Sequence, residues 1–202
     1  MVVGHPVIAP TALNWHNVAT VANFSGQDPN SAIQSCSRNV PVSGPSSTLT
    51  KVASGSCNNF AGLTGHGGYA YRFDNTPPSL APTVSPNPVL RGATATASPN
   101  ATDAHSGVAS ASCGTPETST IGLHTVACIA RDVATNVATA NAEYTVAYGF
   151  DGFRPPVDAH GANVVTAGQA IPLKFRVFDN DGPVRDLAGV TLRAVTVGCD
   201  LG

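Results

Sequence analysis

Five cysteines, at positions 36, 57, 113, 128 and 199, set out the first chemistry open to this chain. The first four fall into two pairs, 21 and 15 residues apart. No Cys-x-x-Cys occurs, which argues against a zinc ribbon or a thioredoxin-like dithiol. Widely spaced pairs in small β-modules read as disulfides, and disulfides persist in oxidising compartments. The expected bonds are Cys36–Cys57 and Cys113–Cys128, with Cys199 unpaired. Closing a loop of ~15 residues stabilises a module by about 3 kcal/mol. The lesser reading is reduced, buried cysteines in a cytosolic protein.

Catalytic patterns are missing from the sequence. The histidines at 5, 16, 66, 105, 124 and 160 never take a metal-ligand spacing such as His-x-x-x-His. No Gly-x-Ser-x-Gly elbow, P-loop or His-Glu-x-x-His is present. The two glutamates, Glu117 and Glu143, lie in separate strand or hairpin contexts, a poor basis for the carboxylate pair of a glycosidase. Gly65-His-Gly-Gly68 resembles part of a phosphate loop, but no helix pattern follows it, so it reads as a turn. No catalytic residue and no cofactor are expected.

Asp103, Asp132 and Asn136 are the candidates for a metal. They sit in loops flanking Cys113 and Cys128 and can meet at one end of a module. Calcium takes carboxylate and carbonyl oxygens gathered from loops. The preferred reading is plainer: Asp and Asn cap turns by bonding their own backbone. No metal site is therefore assigned, and calcium is expected to make no large difference to folding. Asp179-Asn-Asp-Gly182 lacks the first Asp of an EF-hand, since position 177 is Val, and reads as a hairpin turn.

Positioning these residues falls to strands. Charged residues are only 11% of the 202, and Val and Thr alternate with Gly, Pro and Asn turn signals. Almost no helix is expected. Net charge is -2 and the arginines are spread evenly, without the basic stripe of a nucleic-acid binder. No apolar run approaches the ~20 residues of a membrane helix. The start lacks the basic and apolar regions of a signal peptide, and it is read as a cut made inside a longer protein.

Two proline-rich joints divide the chain, at Asp74-Asn-Thr-Pro-Pro-Ser-Leu-Ala-Pro-Thr83 and at Phe153-Arg-Pro-Pro-Val-Asp158. Proline cannot donate to a sheet ladder, so such stretches lie between domains or on sheet edges. Segments 1–76, 77–147 and 148–202 result. The first two read as copies of one plan: an alternating strand, a polar turn containing Asp, a strand ending in Cys, a hairpin to a second Cys, and a closing alternating strand. Repeats of this length with frequent turns suggest β-sandwiches. Trp15 is expected to plug the first core. Tyr69, Tyr71 and Phe73 share one strand face, where core packing is preferred over an exposed sugar-binding platform.

The second copy resembles the hyalin repeat, an immunoglobulin-like extracellular module. The resemblance is carried by Cys113, Pro116, Gly122-Leu-His-Thr-Val-Ala-Cys128, Ala130-Arg-Asp132, Asn136 and Tyr144-Thr-Val146. Thr135 stands where that family has Gly, and a further family cysteine near the last strand is missing. The first copy is similar to bacterial Ig-like repeats that end in an Asp-Asn-Thr-Pro-Pro linker. In the third segment, Tyr148 to Asp158 and Asn163 to Phe175, with Pro172-Leu-Lys-Phe175 at its core, resemble the PxKF-type module of secreted bacterial proteins. Its strands are expected at 170–178 and 190–197, and the module is read as cut short before the partner of Cys199.

Together these readings give an all-β chain of tandem immunoglobulin-like β-sandwich modules joined by Pro-rich linkers. The expected role is a non-enzymatic extracellular or cell-surface array, a stalk or an adhesive protein. Its partner would be an extracellular protein or glycan, with neither nucleic acid nor membrane insertion in this stretch. The alternative is the accessory region of a secreted hydrolase whose catalytic domain lies elsewhere.

Overall fold

A computed structural model describes residues 1–158, 163–164, 166 and 168–186. His160, the strand expected at 190–197 and Cys199 lie outside the described residues. The described chain is nearly all β, with one short 3-10 turn at Ala12–Asn14.

The first stretch forms β1 (Val2–Pro6), β2 (Trp15–His16), β3 (Thr20–Gly26), β4 (Ile33–Cys36), β5 (Val40–Val42), β6 (Ser47–Asn59) and β7 (Thr64–Phe73). The next forms β8 (Thr83–Ser85), β9 (Val89–Leu90), β10 (Thr96–Ser98), β11 (Val108–Cys113), β12 (Gly122–Asp132) and β13 (Val137–Ala147). Last come β14 (Gly149–Arg154), β15 (Lys174–Asp179) and β16 (Gly182–Pro183).

Topology repeats between the first two stretches. One sheet runs β2-β7-β6-β4 and its counterpart β9-β13-β12-β11. In each, the two-residue first strand pairs parallel with the last long strand: Trp15 opposite Arg72, and Val146 opposite Val89. In each, the edge strand pairs antiparallel with the second-Cys strand. A second sheet is β1-β3-β5 in one case and β8-β10 in the other, again with antiparallel pairing of the first two.

The chain divides into two compact units. One comprises Met1–Ser85, Thr96–Pro116 and Thr125–Glu143; the other comprises Pro86–Ala95, Glu117–His124 and the described part of Tyr144–Gly202. In the first unit, Ala22 and Phe24 of β3 and Val42 of β5 face Ala53 and Cys57 of β6 and Tyr71 and Phe73 of β7. Two sheets thus close on one apolar core, a β-sandwich. Alternation is the cause: along β12, Val126, Cys128 and Ala130 are buried while Ala127 and Ile129 between them are exposed, as a half-buried strand requires. Trp15 is buried as expected, with the Arg72 guanidinium 5.6 Å from its ring centre. Phe24 fills the space over Gly4 and Gly55. A Cβ at Gly4 would stand 2.8 Å from its ring, and one at Gly55 closer still.

The second unit carries the sheet β14-β15-β16. The Asp179–Gly182 turn is the hairpin read from the sequence, and it pairs Phe178 with Pro183. The strand on the other side of β15 is β14, which includes Phe153 and Arg154 of the expected second joint. Aromatic packing explains this: across a register shift in β14, Phe150 and Phe153 meet Phe175 with ring centres 5.4 to 6.3 Å apart. Arg91 serves three neighbours here. It pairs with Asp179 at 2.8 Å, donates to the Ser119 carbonyl, and lies 5.9 Å from the Tyr148 ring centre.

Candidate functional site

Both expected disulfides are present, Cys36–Cys57 and Cys113–Cys128. Each joins residues directly opposite in adjacent antiparallel strands, β4 to β6 and β11 to β12. The second cysteine of each pair is buried and faces its core. Tyr71 and Phe73 also face inward, while Tyr69 is half-buried and its hydroxyl meets His16 Nε2 at 2.9 Å.

The polar residues that converge lie at one end of the second copy, within the first compact unit. Asp103 and Asp132 come together as anticipated, and Asp74 joins them. The three place one carboxylate oxygen each within 4.8 Å of one another. Asp74 and Asp132 are 0% and 1% exposed. Two unit charges at that separation repel by about 3–4 kcal/mol at an effective dielectric of ~20, so each carboxylate needs donors.

Local turns supply most of them. Asp103 Oδ1 accepts the His105 and Gly107 N–H groups. Asp132 Oδ1 accepts the Asn136 N–H at 2.7 Å, and Asp132 Oδ2 accepts its amide Nδ2–H, also at 2.7 Å. These are the backbone-capping roles expected of Asp and Asn. Asp74 differs, because its donors come from two places. Oδ1 accepts the N–H of nearby Thr76, whereas Oδ2 accepts that of Ser106, 32 residues on. His105 Nδ1 is buried without a hydrogen bond and lies 3.7 Å from Asp74 Oδ1.

Protonation follows these surroundings. Burial pushes the Asp132 carboxyl above its usual range; Asn136 pulls it down, and the charges of Asp74 and Asp103 add to the rise. Burial pushes Asp74 up as well, but hydrogen bonds involving Ser106, Thr76 and Ser46 outweigh it, and the net direction is down. Carboxylates in this arrangement are the hard oxygen donors that calcium prefers. Asn136 faces them with its N–H groups, so it stands in the cluster as a donor.

Thr135 has φ +76°, the left-handed region that favours glycine. Here the threonine hydroxyl accepts from Asn17 Nδ2 at 3.1 Å. The first copy repeats the cluster in weaker form: Asp28 caps Asn30 and Ser31, and buried Asn59 accepts the Leu63 N–H, as Asp132 accepts that of Asn136. With Asn in place of Asp132 and no counterpart of Asp74 beside it among the described residues, that end gathers Asp28 alone where the second copy gathers three carboxylates.

No protein-family model matches the chain, and no curated protein matches it. Among the described residues, no helix is long and apolar enough to cross a membrane.

Proposed function

We propose that this chain is part of a non-enzymatic extracellular array of immunoglobulin-like modules, used as a stalk or an adhesive surface. One observation carries the reading: two consecutive copies share strand order, parallel first-strand pairing and a disulfide at the same cross-strand place. Copies in series add reach and mechanical resistance, whereas an active site gains nothing from duplication. The disulfides favour an oxidising compartment. The resemblances to hyalin-type, bacterial Ig-like and PxKF-type modules support the same role, and the partner would be an extracellular protein or a glycan.

The test is mechanical. Stretched singly between two tethers, the oxidised chain is expected to resist loads that extend a flexible linker. Adding a thiol reductant is expected to release the lengths locked behind the two disulfides, about 7 and 5 nm at ~3.5 Å per residue. A chain that yields like a linker while oxidised, or that turns over a glycoside or peptide substrate, is not such an array.

A further inference from the structure

The expected linker Asp74-Asn-Thr-Pro-Pro does not behave as a free spacer. Asp74 is fully buried, and every polar atom it carries is engaged. Its N–H donates to the His16 carbonyl in the first copy. Its Oδ2 accepts the Ser106 N–H, and its carbonyl oxygen accepts Asn136 Nδ2–H at 2.9 Å, both in the second copy. Asn136 Nδ2 also reaches the Thr76 carbonyl, at 3.5 Å. Beside this, Asn17 of the first copy donates to Thr135 of the second. All of these residues belong to one compact unit, although they come from both sides of the expected boundary at 76/77.

We propose that Asp74 is a clasp that joins the first two modules into a single cooperative folding unit, so that neither opens without the other. The inference rests on the reading of 1–76 and 77–147 as consecutive modules. Physically, the clasp works because its bonds are buried. Opening the first module alone would leave the Asp74 N–H without its partner, and opening the second alone would strip the Asp74 Oδ2 and carbonyl of theirs. A buried group deprived of its partner costs far more than an exposed bond returns. At this carboxylate the hydrogen bonds outweigh the cost of burial, and its proton affinity is lowered.

Hydrogen exchange on the full oxidised chain, followed through increasing denaturant below the unfolding transition, tests the proposal. Amides of 51–57 report the first module, and amides of 125–132 report the second. In the wild type their opening constants are expected to agree within about threefold and to share one denaturant slope. In Asp74→Ala they are expected to diverge by about tenfold or more, the effect of losing a buried charged acceptor. Asn136→Ala and Asn17→Ala leave the carboxylate in place and carry the same expectation in smaller degree, which keeps the test open if Asp74→Ala does not fold. Separate openings in the wild type would overturn the clasp and leave the modules standing. A single opening that persists in all variants would show one undivided domain, and would overturn both the clasp and the modular reading beneath it.

Discussion

His16 and Asp74 occupy the same corner of the first sandwich, and they respond to pH in different windows. The His16 imidazole is 2% exposed, edge-on to Tyr69 and Tyr71, with its Nε2 at the Tyr69 hydroxyl. Burial holds its proton affinity below the ordinary 6.5. The unfolded chain therefore binds this proton more readily than the folded one. Stability from the neutral ring is complete above 6.5 and is lost as pH falls from 6.5 through the lower folded value. Thermal melts between pH 7.5 and 5 are expected to show a falling midpoint in the wild type and a flatter profile in His16→Gln. Equal slopes in the two proteins would show that His16 takes up its proton without cost. Asp74, whose affinity is lowered, acts in a more acidic range: its contribution is present above about 3.8 and lost below it. Neither role could be read from the sequence. His16 had no partner within reach in the chain, and Asp74 stood in a proline-rich stretch that read as a spacer. Its companions Asp103, Asp132 and Asn136 were legible because they lie in turn loops flanking Cys113 and Cys128, a local signal. Asp74 meets them only through contacts 29 or more positions distant.

At the scale of strands, the periodic signals were the ones that told most. The alternation in β12 and β13 and the paired cysteines placed those strands and both disulfides. The single hairpin expected between each pair holds only for Cys113–Cys128: between Cys36 and Cys57 the chain crosses to the other sheet as β5, which pairs with β3. The parallel contacts of β2 and β9 were not legible, because a two-residue strand has no period to display. Nor was β14, whose residues Phe153 and Arg154 precede a Pro-Pro pair that marked the stretch as a joint. Glycines in strands carry a further constraint that only packing shows. Gly55 lies in the middle of β6, where glycine costs conformational entropy, and the Phe24 ring occupies the place its side chain would take. Gly55→Ala is expected to destabilise the first sandwich by about 1–3 kcal/mol, the cost of overpacking a filled core. Combining it with Phe24→Leu is expected to recover part of that loss. Denaturant midpoints of the single and double variants provide the measurement. A Gly55→Ala protein as stable as the wild type would mean that the ring moves freely, and that Phe24 does not set the spacing of the sheets.

Across the whole molecule, stability is expected to be uneven, and the third segment should be its weakest part. The first two segments each hold a disulfide and several fully buried side chains, among them Val42 and Phe73 in one and Val89, Tyr144 and Val146 in the other. Among the described residues from 148 onward, Val177 is the one buried apolar side chain. Phe150 packs against Phe153 and Phe175 but stays 56% exposed. The ion pairs of this region, Asp151 with Arg154 and Arg176, and Arg91 with Asp179, involve partly exposed partners. Such pairs contribute at most about 1 kcal/mol each. A small sheet with little buried surface is marginal in water, whereas each disulfide adds about 3 kcal/mol to its module. Amides of β15, residues 174–179, are therefore expected to exchange through openings at least ~2 kcal/mol easier than those of 51–57 or 125–132. Reducing the two disulfides should narrow the gap, because it lowers the stronger modules and leaves the third segment unchanged. Protection of 174–179 equal to that of the disulfide modules in the oxidised chain would mean that the third segment buries more of its apolar surface than Val177 alone, and the ranking would fail.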